Sequence, residues 1–213
     1  MGRPRGLVHG VGINDVEGSI THKAVPEEIL PSGKAKYIRC PYYGKWASML
    51  NRCYSSIYLE KYPTYKGCTV CKEWLLFSNF RSWMVSKKCD GFQLDKDLLF
   101  VGNKVYSPAT CVFVHRKVNM FTVGSDGARG DYAIGVYHTM KGSYTSQCNN
   151  PLTNKYERLG YFNTELEAHL VWKRRKHDLA CELANSEYVT DERVAEALRK
   201  RYENFNIVEE HIS

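Results

Sequence analysis

The sequence has no apolar run near the roughly 20 residues that a membrane-spanning helix requires. Its start, MGRPRGLVHG, lacks the apolar stretch of a secretory signal. We therefore expect no membrane partner and a cytoplasmic location. With 213 residues, 43% hydrophobic and 25% charged, the chain has the composition of a globular protein of one or two domains.

A second cysteine pair of the zinc-finger kind is also missing. Cys68 and Cys71 form one C-x-x-C pair, but no second C-x-x-C or C-x-x-H occurs. Zinc prefers four tetrahedral ligands, so Cys53, Cys89 or Cys111 would have to supply the others. Structural zinc at Cys68 and Cys71 is therefore the less favoured hypothesis, and buried thiols are the favoured one. The irregular spacing of the eight cysteines predicts reduced thiols rather than disulfides.

Positive charge is concentrated in one segment. The formal net charge is +7, and residues 41–121 hold 12 Lys or Arg against 5 Asp or Glu, which accounts for the whole surplus. This predicts an anionic macromolecule, most often nucleic acid, rather than a small-molecule substrate. The aromatic strand motif of common RNA-binding domains is absent, which favours duplex DNA. Candidate DNA contacts in this segment are Arg52, Lys104, Arg116 and Lys117.

Hydrophobic periodicity predicts two helices after a Gly- and Pro-containing stretch, 1–36, that we interpret as an extended basic arm or a solvated tail. A second helix is expected at 77–85, with Ser78 as its N-cap. The first helix begins near Lys45, and its apolar stripe is Trp46, Met49, Leu50, Cys53, Tyr54 and Ile57.

Residues 92–121, FQLDKDLLFVGNKVYSPATCVFVHRKVNMF, contain acidic, amide and imidazole groups between short apolar runs. The pattern predicts a strand with Leu94, Leu98 and Phe100, a loop, a second strand at 111–114, and a helix at 115–121. This order can gather four groups around one divalent ion: Asp95, Asp97, His115 and Asn119.

The segments LDKD, GNK, YSPATCVFV and VN resemble the degenerate His-Asn-His (HNH) motif of phage homing endonucleases. The resemblance implies metal-dependent hydrolysis of duplex DNA with Mg²⁺ or Mn²⁺, Asp95 and Asp97 being metal ligands and His115 a base or a further ligand. Asn119 matches the helix asparagine. Lys96 stands where many such enzymes have the water-activating histidine, so it is assigned to charge stabilisation. A non-catalytic DNA-binding protein on a degenerate HNH fold is the alternative.

Beyond a Gly-rich segment, three stretches, YAIGVYHT, GSYTSQC and KYERLGYF, predict short strands. Thr164 and Glu167 form a capping box that opens a helix to about Ala184, and a last helix is expected at 190–205. The fold class is α+β, an HNH-like ββα module followed by a three-stranded antiparallel sheet packed on a helix. The predicted divisions are 1–36 arm, 37–121 nuclease module, 122–131 linker, 132–185 DNA-binding domain, and 186–213 C-terminal helix and tail.

The three strands and helix, with GVY and LGYFNTELEA, resemble the APETALA/ethylene-response-factor type of DNA-binding domain. Phage HNH homing endonucleases often carry this domain, so the two resemblances agree and imply a site-specific endonuclease acting in a bacterial host. They also imply that the sheet lies in the major groove. Strand alternation allows about half of the candidate contacts to face DNA. These candidates are Tyr137, Lys141, Tyr144, Gln147, Lys155 and Arg158.

Overall fold

The structure, a computed structural model, describes residues 6–17, 20–23, 30–34, 37–87, 90–123 and 131–203. These residues form a mixed α+β fold, as predicted. No helix among them is long and apolar enough to cross a membrane. The helices are α1 (Pro41–Tyr54), α2 (Ser56–Lys61), α3 (Phe77–Val85), α4 (Arg116–Thr122), α5 (Glu165–Ala184) and α6 (Glu192–Arg201). The strands are β1 (Thr21–Lys23), β2 (Tyr37–Arg39), β3 (Thr69–Val70), β4 (Gln93–Asp95), β5 (Val105–Tyr106), β6 (Val112–Val114), β7 (Val136–His138), β8 (Tyr144–Asn150) and β9 (Lys155–Phe162).

The chain divides into two compact units. The first contains the described residues within Met1–Asp90 and Phe100–Phe113, and the second those within Gly91–Leu99 and Val114–Ser213. Most of the predicted linker, 124–130, lies outside the described residues. The division places helix α4 in the second unit, although the sequence assigned it to a nuclease module at 37–121.

In the first unit, helix α1 buries Trp46, Met49, Leu50 and Cys53, as its periodicity predicts. The helix ends at Tyr54, where Ser55 becomes the N-cap of α2 by accepting a bond from the Tyr58 amide. Ile57 therefore leaves the stripe and is 79% exposed, so its predicted place in the core is wrong. Strands β1 and β2 pair antiparallel, and β3 and β5 pair parallel.

Part of the predicted extended arm contacts helix α3. Ile13 forms a parallel bridge with Leu76, which occupies the N-cap position of that helix. The Asp15 carboxylate accepts a bond from the Ser78 amide at 2.9 Å and another from the Ser78 hydroxyl. Ser78 is therefore not the N-cap that we predicted. An acid 63 residues away in sequence takes that role, because Leu76 has no side-chain acceptor to offer the first amides of the helix.

In the second unit, strands β7, β8 and β9 form a three-stranded antiparallel sheet, with β8 in the centre, that packs on α5. The predicted capping box is confirmed: the Glu167 amide donates to Thr164 Oγ1, and the Thr164 amide donates to the Glu167 carboxylate, each at 3.2 Å. Helix α6 begins after Asp191, whose side chain caps it, and is shorter than the predicted 190–205.

A β-bulge interrupts the pairing of β8 with β9. Ser146 lies opposite Gly160 and Gln147 lies opposite Arg158, so Leu159 is an extra residue in β9. Beyond the bulge the two strands resume regular pairing as far as Asn150 and Lys155. The bulge therefore determines which side of the sheet each residue from Lys155 to Arg158 occupies.

Gly135 and Gly142 allow a matched test of close packing between the sheet and α5. Both have φ of +80°, but a Cβ at Gly135 would overlap the Trp172 indole, whereas nothing lies within 4 Å of one at Gly142. Gly142→Ala should lower the free energy of unfolding by about 1 kcal/mol, the cost of a left-handed alanine. Gly135→Ala should cost roughly 2 kcal/mol more because the indole must move. Urea unfolding followed by circular dichroism measures both, and equal losses would contradict the packing argument.

Candidate functional site

The three-stranded sheet has one face on helix α5. Val136, Ser146 and Cys148 are buried on this side. Val136 and Ser146 lie opposite each other in neighbouring strands, and opposite residues share a face. Because successive residues alternate, the residues between them must point away from the helix.

The other face, here called the outward face, consists of the residues that alternate with this buried set. Its three tyrosines, Tyr137, Tyr156 and Tyr161, are 53%, 77% and 62% exposed. Three large exposed rings on one sheet face make it the candidate interaction surface of this unit. The register assigns seven residues to this face: Tyr137, Thr145, Gln147, Asn149, Tyr156, Arg158 and Tyr161.

Arg158 is held within the outward face by a neighbouring tyrosine. Its Nη1 lies 3.2 Å from the Tyr161 hydroxyl, and its guanidinium carbon lies 5.9 Å from the centroid of the Tyr161 ring. Gln147 lies directly opposite Arg158 in β8. A guanidinium and an amide side by side can both donate to acceptors on nucleic-acid bases or phosphates.

The nearest carboxylate in the sequence points to the other side of the sheet. Glu157 faces α5, where Arg175 Nε donates to it at 2.7 Å and Asn150 donates at 2.7 Å. Both bonds lower the pKa of Glu157, and the bond from Arg175 has the larger effect. None of the seven outward residues is acidic, so the face offers no repulsion to an anion.

The structure places the six candidates of this domain in different positions. Tyr137, Gln147 and Arg158 lie on the outward face. Tyr144 lies on the helix side of the register and contacts the rings of Tyr132 and His138. Lys155 pairs with Asn150 on that same side, and Lys141 is exposed in the turn between β7 and β8. Half of the set thus faces outward, as strand alternation predicted.

Two basic candidates from 41–121 bond within the protein. Arg52 is half-buried. Burial acts to lower the pKa of its guanidinium, but the nearby hydroxyl groups of Tyr106, Tyr65 and Tyr58 have the opposite effect, and the net result is a raised pKa. Lys117 donates to the Leu152 carbonyl at 3.1 Å and lies 4.3 Å from the centroid of the Tyr188 ring. Both are parts of the packing in this structure.

The other two basic candidates of that segment are exposed. Lys104 reaches the Thr64 carbonyl at 2.8 Å, and Arg116 begins α4. Their charged groups are at the surface, so both stay candidates for contact with phosphates.

Asp95 ends the first strand of the predicted metal site. Its Oδ1 accepts bonds from the amides of Asp97 at 2.9 Å and Leu98 at 2.7 Å, a side-chain turn that competes with strand pairing. Strand β4 therefore stops at Asp95. Our prediction of a strand that continues to Phe100 is wrong. Burial, with the nearby Asp97 charge, raises the pKa of Asp95.

The remaining predicted groups of that site have other partners. Lys96 is buried and its ammonium lies 3.0 Å from the Asp97 carboxylate. His115 caps α4 by accepting from the Lys117 amide at 3.2 Å, and its ring stacks on Tyr188. Asn119 donates to the Gln93 side chain at 2.6 Å, which joins α4 to β4.

In this structure the groups of the predicted metal site bond to other groups of the protein. Among the described residues, no three His, Cys, Asp or Glu side chains are placed to hold a metal. Cys68 is buried and Cys71 half-buried, and both are free thiols. Cys89, a further candidate zinc ligand, lies outside the described residues. Burial raises the pKa of the Cys71 thiol.

Lys176 is a half-buried cation that we did not predict from the sequence. Its ammonium donates to the Phe121 carbonyl at 3.0 Å and lies 3.6 Å from the centroid of the Phe121 ring. Arg201 donates to the next carbonyl, that of Thr122, at 3.1 Å, so two cations cap the C-terminus of α4. A signal was present in the sequence, because Lys176 lies four residues after Trp172 and therefore on the buried stripe of α5.

No protein-family model matches the chain, and neither a curated protein nor a solved structure matches it significantly. The two resemblances therefore stay predictions.

Lys176→Met should stabilise the protein near pH 7. Burial lowers the pKa of Lys176 from 10.5 to about 8, although the nearby Cys148 acts to raise it and Arg201 to lower it further. Between pH 8 and pH 10.5 the unfolded chain therefore binds more protons than the folded chain. The cost of burying the charged ammonium is full below the folded pKa of about 8, and it disappears as the pH rises toward the unfolded pKa of 10.5. The variant should gain on the order of 1–3 kcal/mol near pH 7 and lose this advantage near pH 10.

Urea unfolding of wild type and variant across this pH range measures the difference. Lys155→Met, at an exposed position, is the control and should change stability little at any pH. Loss of stability in Lys176→Met near pH 7 would mean that its bond to Phe121 outweighs the desolvation of the charge.

Proposed function

We propose that this chain is a duplex-DNA-binding protein that contacts DNA through the outward face of its three-stranded sheet. The outward face supports the proposal: three exposed tyrosines, one guanidinium and two amides project from the same side of the sheet, without an acid among them. The resemblance of this domain to a DNA-binding type points to the same function.

The shape and chemistry of the face suit the major groove. That groove admits strands of a sheet and presents base acceptors and donors. Arg158 can donate to guanine, and Gln147 can pair with adenine. The flanking tyrosines can contact thymine methyl groups and sugars with their rings and phosphates with their hydroxyls. Arg158 and Gln147 are therefore the proposed determinants of base preference.

Long-range attraction would come from cations around the face rather than on it. Arg158 is its single cationic residue. Lys141 is exposed in the turn between β7 and β8, and Lys155 is exposed on β9 but on the other side of the sheet. Neutralised phosphates release condensed cations, so the affinity should fall steeply between ~50 and ~200 mM salt.

Arg158→Ala should weaken binding to the target duplex and relax base preference at one position, since a bidentate contact to a base contributes about 1–3 kcal/mol. Lys155→Ala removes the same charge from the same strand but on the opposite register side, so it should change affinity less and leave base preference unchanged. A target selected from random duplex, followed by fluorescence anisotropy with single-base variants of that target, measures both effects. Equal losses for the two variants would indicate charge attraction without docking of the outward face.

Metal-dependent cleavage of DNA is a second candidate function. The observation that favours it is the pair of neighbouring acids, Asp95 and Asp97, on the segment that resembles the HNH motif. The charge of Asp97 contributes to the raised pKa of Asp95, and a cation would relieve their repulsion. The ion pair of Lys96 with Asp97 counts against it, because the lysine already supplies positive charge there.

A nicking assay on supercoiled plasmid carrying the selected target decides between binding alone and cleavage. If the chain is a nuclease, nicking should require Mg²⁺ or Mn²⁺ and should be lost in Asp95→Ala, while duplex affinity stays within about twofold because the sheet is unchanged. Wild-type protein that binds its target and never nicks it with either ion would leave DNA binding as the function. Nicking that persists in Asp95→Ala would place the reaction elsewhere in the chain.

A further inference from the structure

The first unit carries a short segment that the rest of the described chain leaves uncovered. Residues 56–67, which contain α2 and the 3-10 helix Pro63–Tyr65, include no buried residue. Ile57 is 79% exposed and Tyr62 is 41% exposed. The segment contains three tyrosines and one isoleucine, and none of these four side chains is buried. Such a segment is typical of an interaction surface.

The three tyrosines lie side by side. The ring centroids of Tyr58 and Tyr62 are 4.6 Å apart, and those of Tyr58 and Tyr65 are 5.6 Å apart. The segment is anchored at its ends, because the Tyr54 hydroxyl accepts from the Val70 amide at 3.0 Å and Ser55 caps α2. The rings are therefore held in place before any ligand arrives, which reduces the entropic cost of binding.

Positive charge surrounds these rings. The Lys61 ammonium lies 5.5 Å from the centroid of the Tyr62 ring, and Lys104 is fixed on the Thr64 carbonyl at 2.8 Å. Lys66 is exposed next to Tyr65, and Glu60 is the one acid within 56–67. The half-buried Arg52 lies close enough to Tyr58 and Tyr65 to interact with their hydroxyl groups. We call Tyr58, Lys61, Tyr62, Tyr65, Lys66 and Lys104 the tyrosine–lysine surface.

We propose that the tyrosine–lysine surface binds single-stranded DNA, with an unpaired base stacked on the exposed Tyr62 and phosphates against the three lysines. Charge complementarity selects a polyanion, and the rings select one whose bases are unpaired. In a duplex the faces of the bases are covered by neighbouring bases, so an exposed tyrosine ring has no free base to stack on. In a single strand each base can stack on an aromatic side chain. This site lies on the first unit and does not depend on the outward face of the sheet.

The experiment compares two DNA forms and two tyrosines in the full chain. Anisotropy of a labelled oligothymidine of about 15 nucleotides reports single-strand binding, and the selected duplex reports binding by the sheet. Tyr62→Ala should weaken oligothymidine binding by about 5- to 100-fold, as expected for loss of one stacked base, and leave duplex affinity within about twofold. Tyr156→Ala, which removes an exposed tyrosine from the outward face, should do the reverse.

Two further variants separate stacking from charge and from folding. Tyr62→Phe keeps the ring and should retain wild-type affinity for oligothymidine. The double change Lys61→Ala and Lys66→Ala should weaken binding and reduce the dependence of log affinity on log salt by roughly 1 to 2. The proposal is overturned if wild type does not bind oligothymidine, if Tyr62→Phe loses binding as Tyr62→Ala does, or if Tyr156→Ala weakens oligothymidine binding and Tyr62→Ala does not. Failure of duplex binding alone would overturn the function proposed for the sheet and leave this site standing.

Discussion

The burial of one face of α5 against the three-stranded sheet is the constraint on which the second unit depends. Trp172, Leu179 and Leu183 are buried on α5, and Val136 and Cys148 are buried on the facing side of the sheet. Once those strand residues face the helix, alternation turns their neighbours to solvent. The outward face therefore follows from packing, and a change of register by one residue would bury its tyrosines and expose the apolar residues.

Local sequence signals predicted the helices and strands of this unit well, but they predicted the tertiary contacts between them poorly. The capping box at Thr164 and the three strands were predictable because turn residues and caps act over a few positions. The docking of α4 on Lys176 was not predictable, because the bond joins residues 55 positions apart and a run of basic residues such as 173–176 usually faces water. The sequence signal was spacing rather than charge, because Lys176 lies on the same helical stripe as Trp172.

The same distinction explains the candidate site around Asp95. The order of strand, loop, strand and helix could be predicted from alternation and turn residues, but the partners of each polar group could not. Asp95 caps its own turn, Asp97 pairs with Lys96, and His115 stacks on Tyr188. A carboxylate next to amides two and three residues ahead often bonds to them, and this local competition was the signal that favoured a turn over a longer strand.

The bulge at Leu159 has a consequence for how this strand can change length. As an unpaired residue between two regular stretches of β9, it separates the half that carries Tyr161 from the half that carries Arg158. Its deletion would join these halves in regular pairing, with both side chains still on the outward side. Deletion of Glu157 instead would turn Tyr156 toward α5 and remove the acid that Arg175 binds. Insertions and deletions are thus tolerated unequally along one strand, and natural variation in strand length should be found at Leu159.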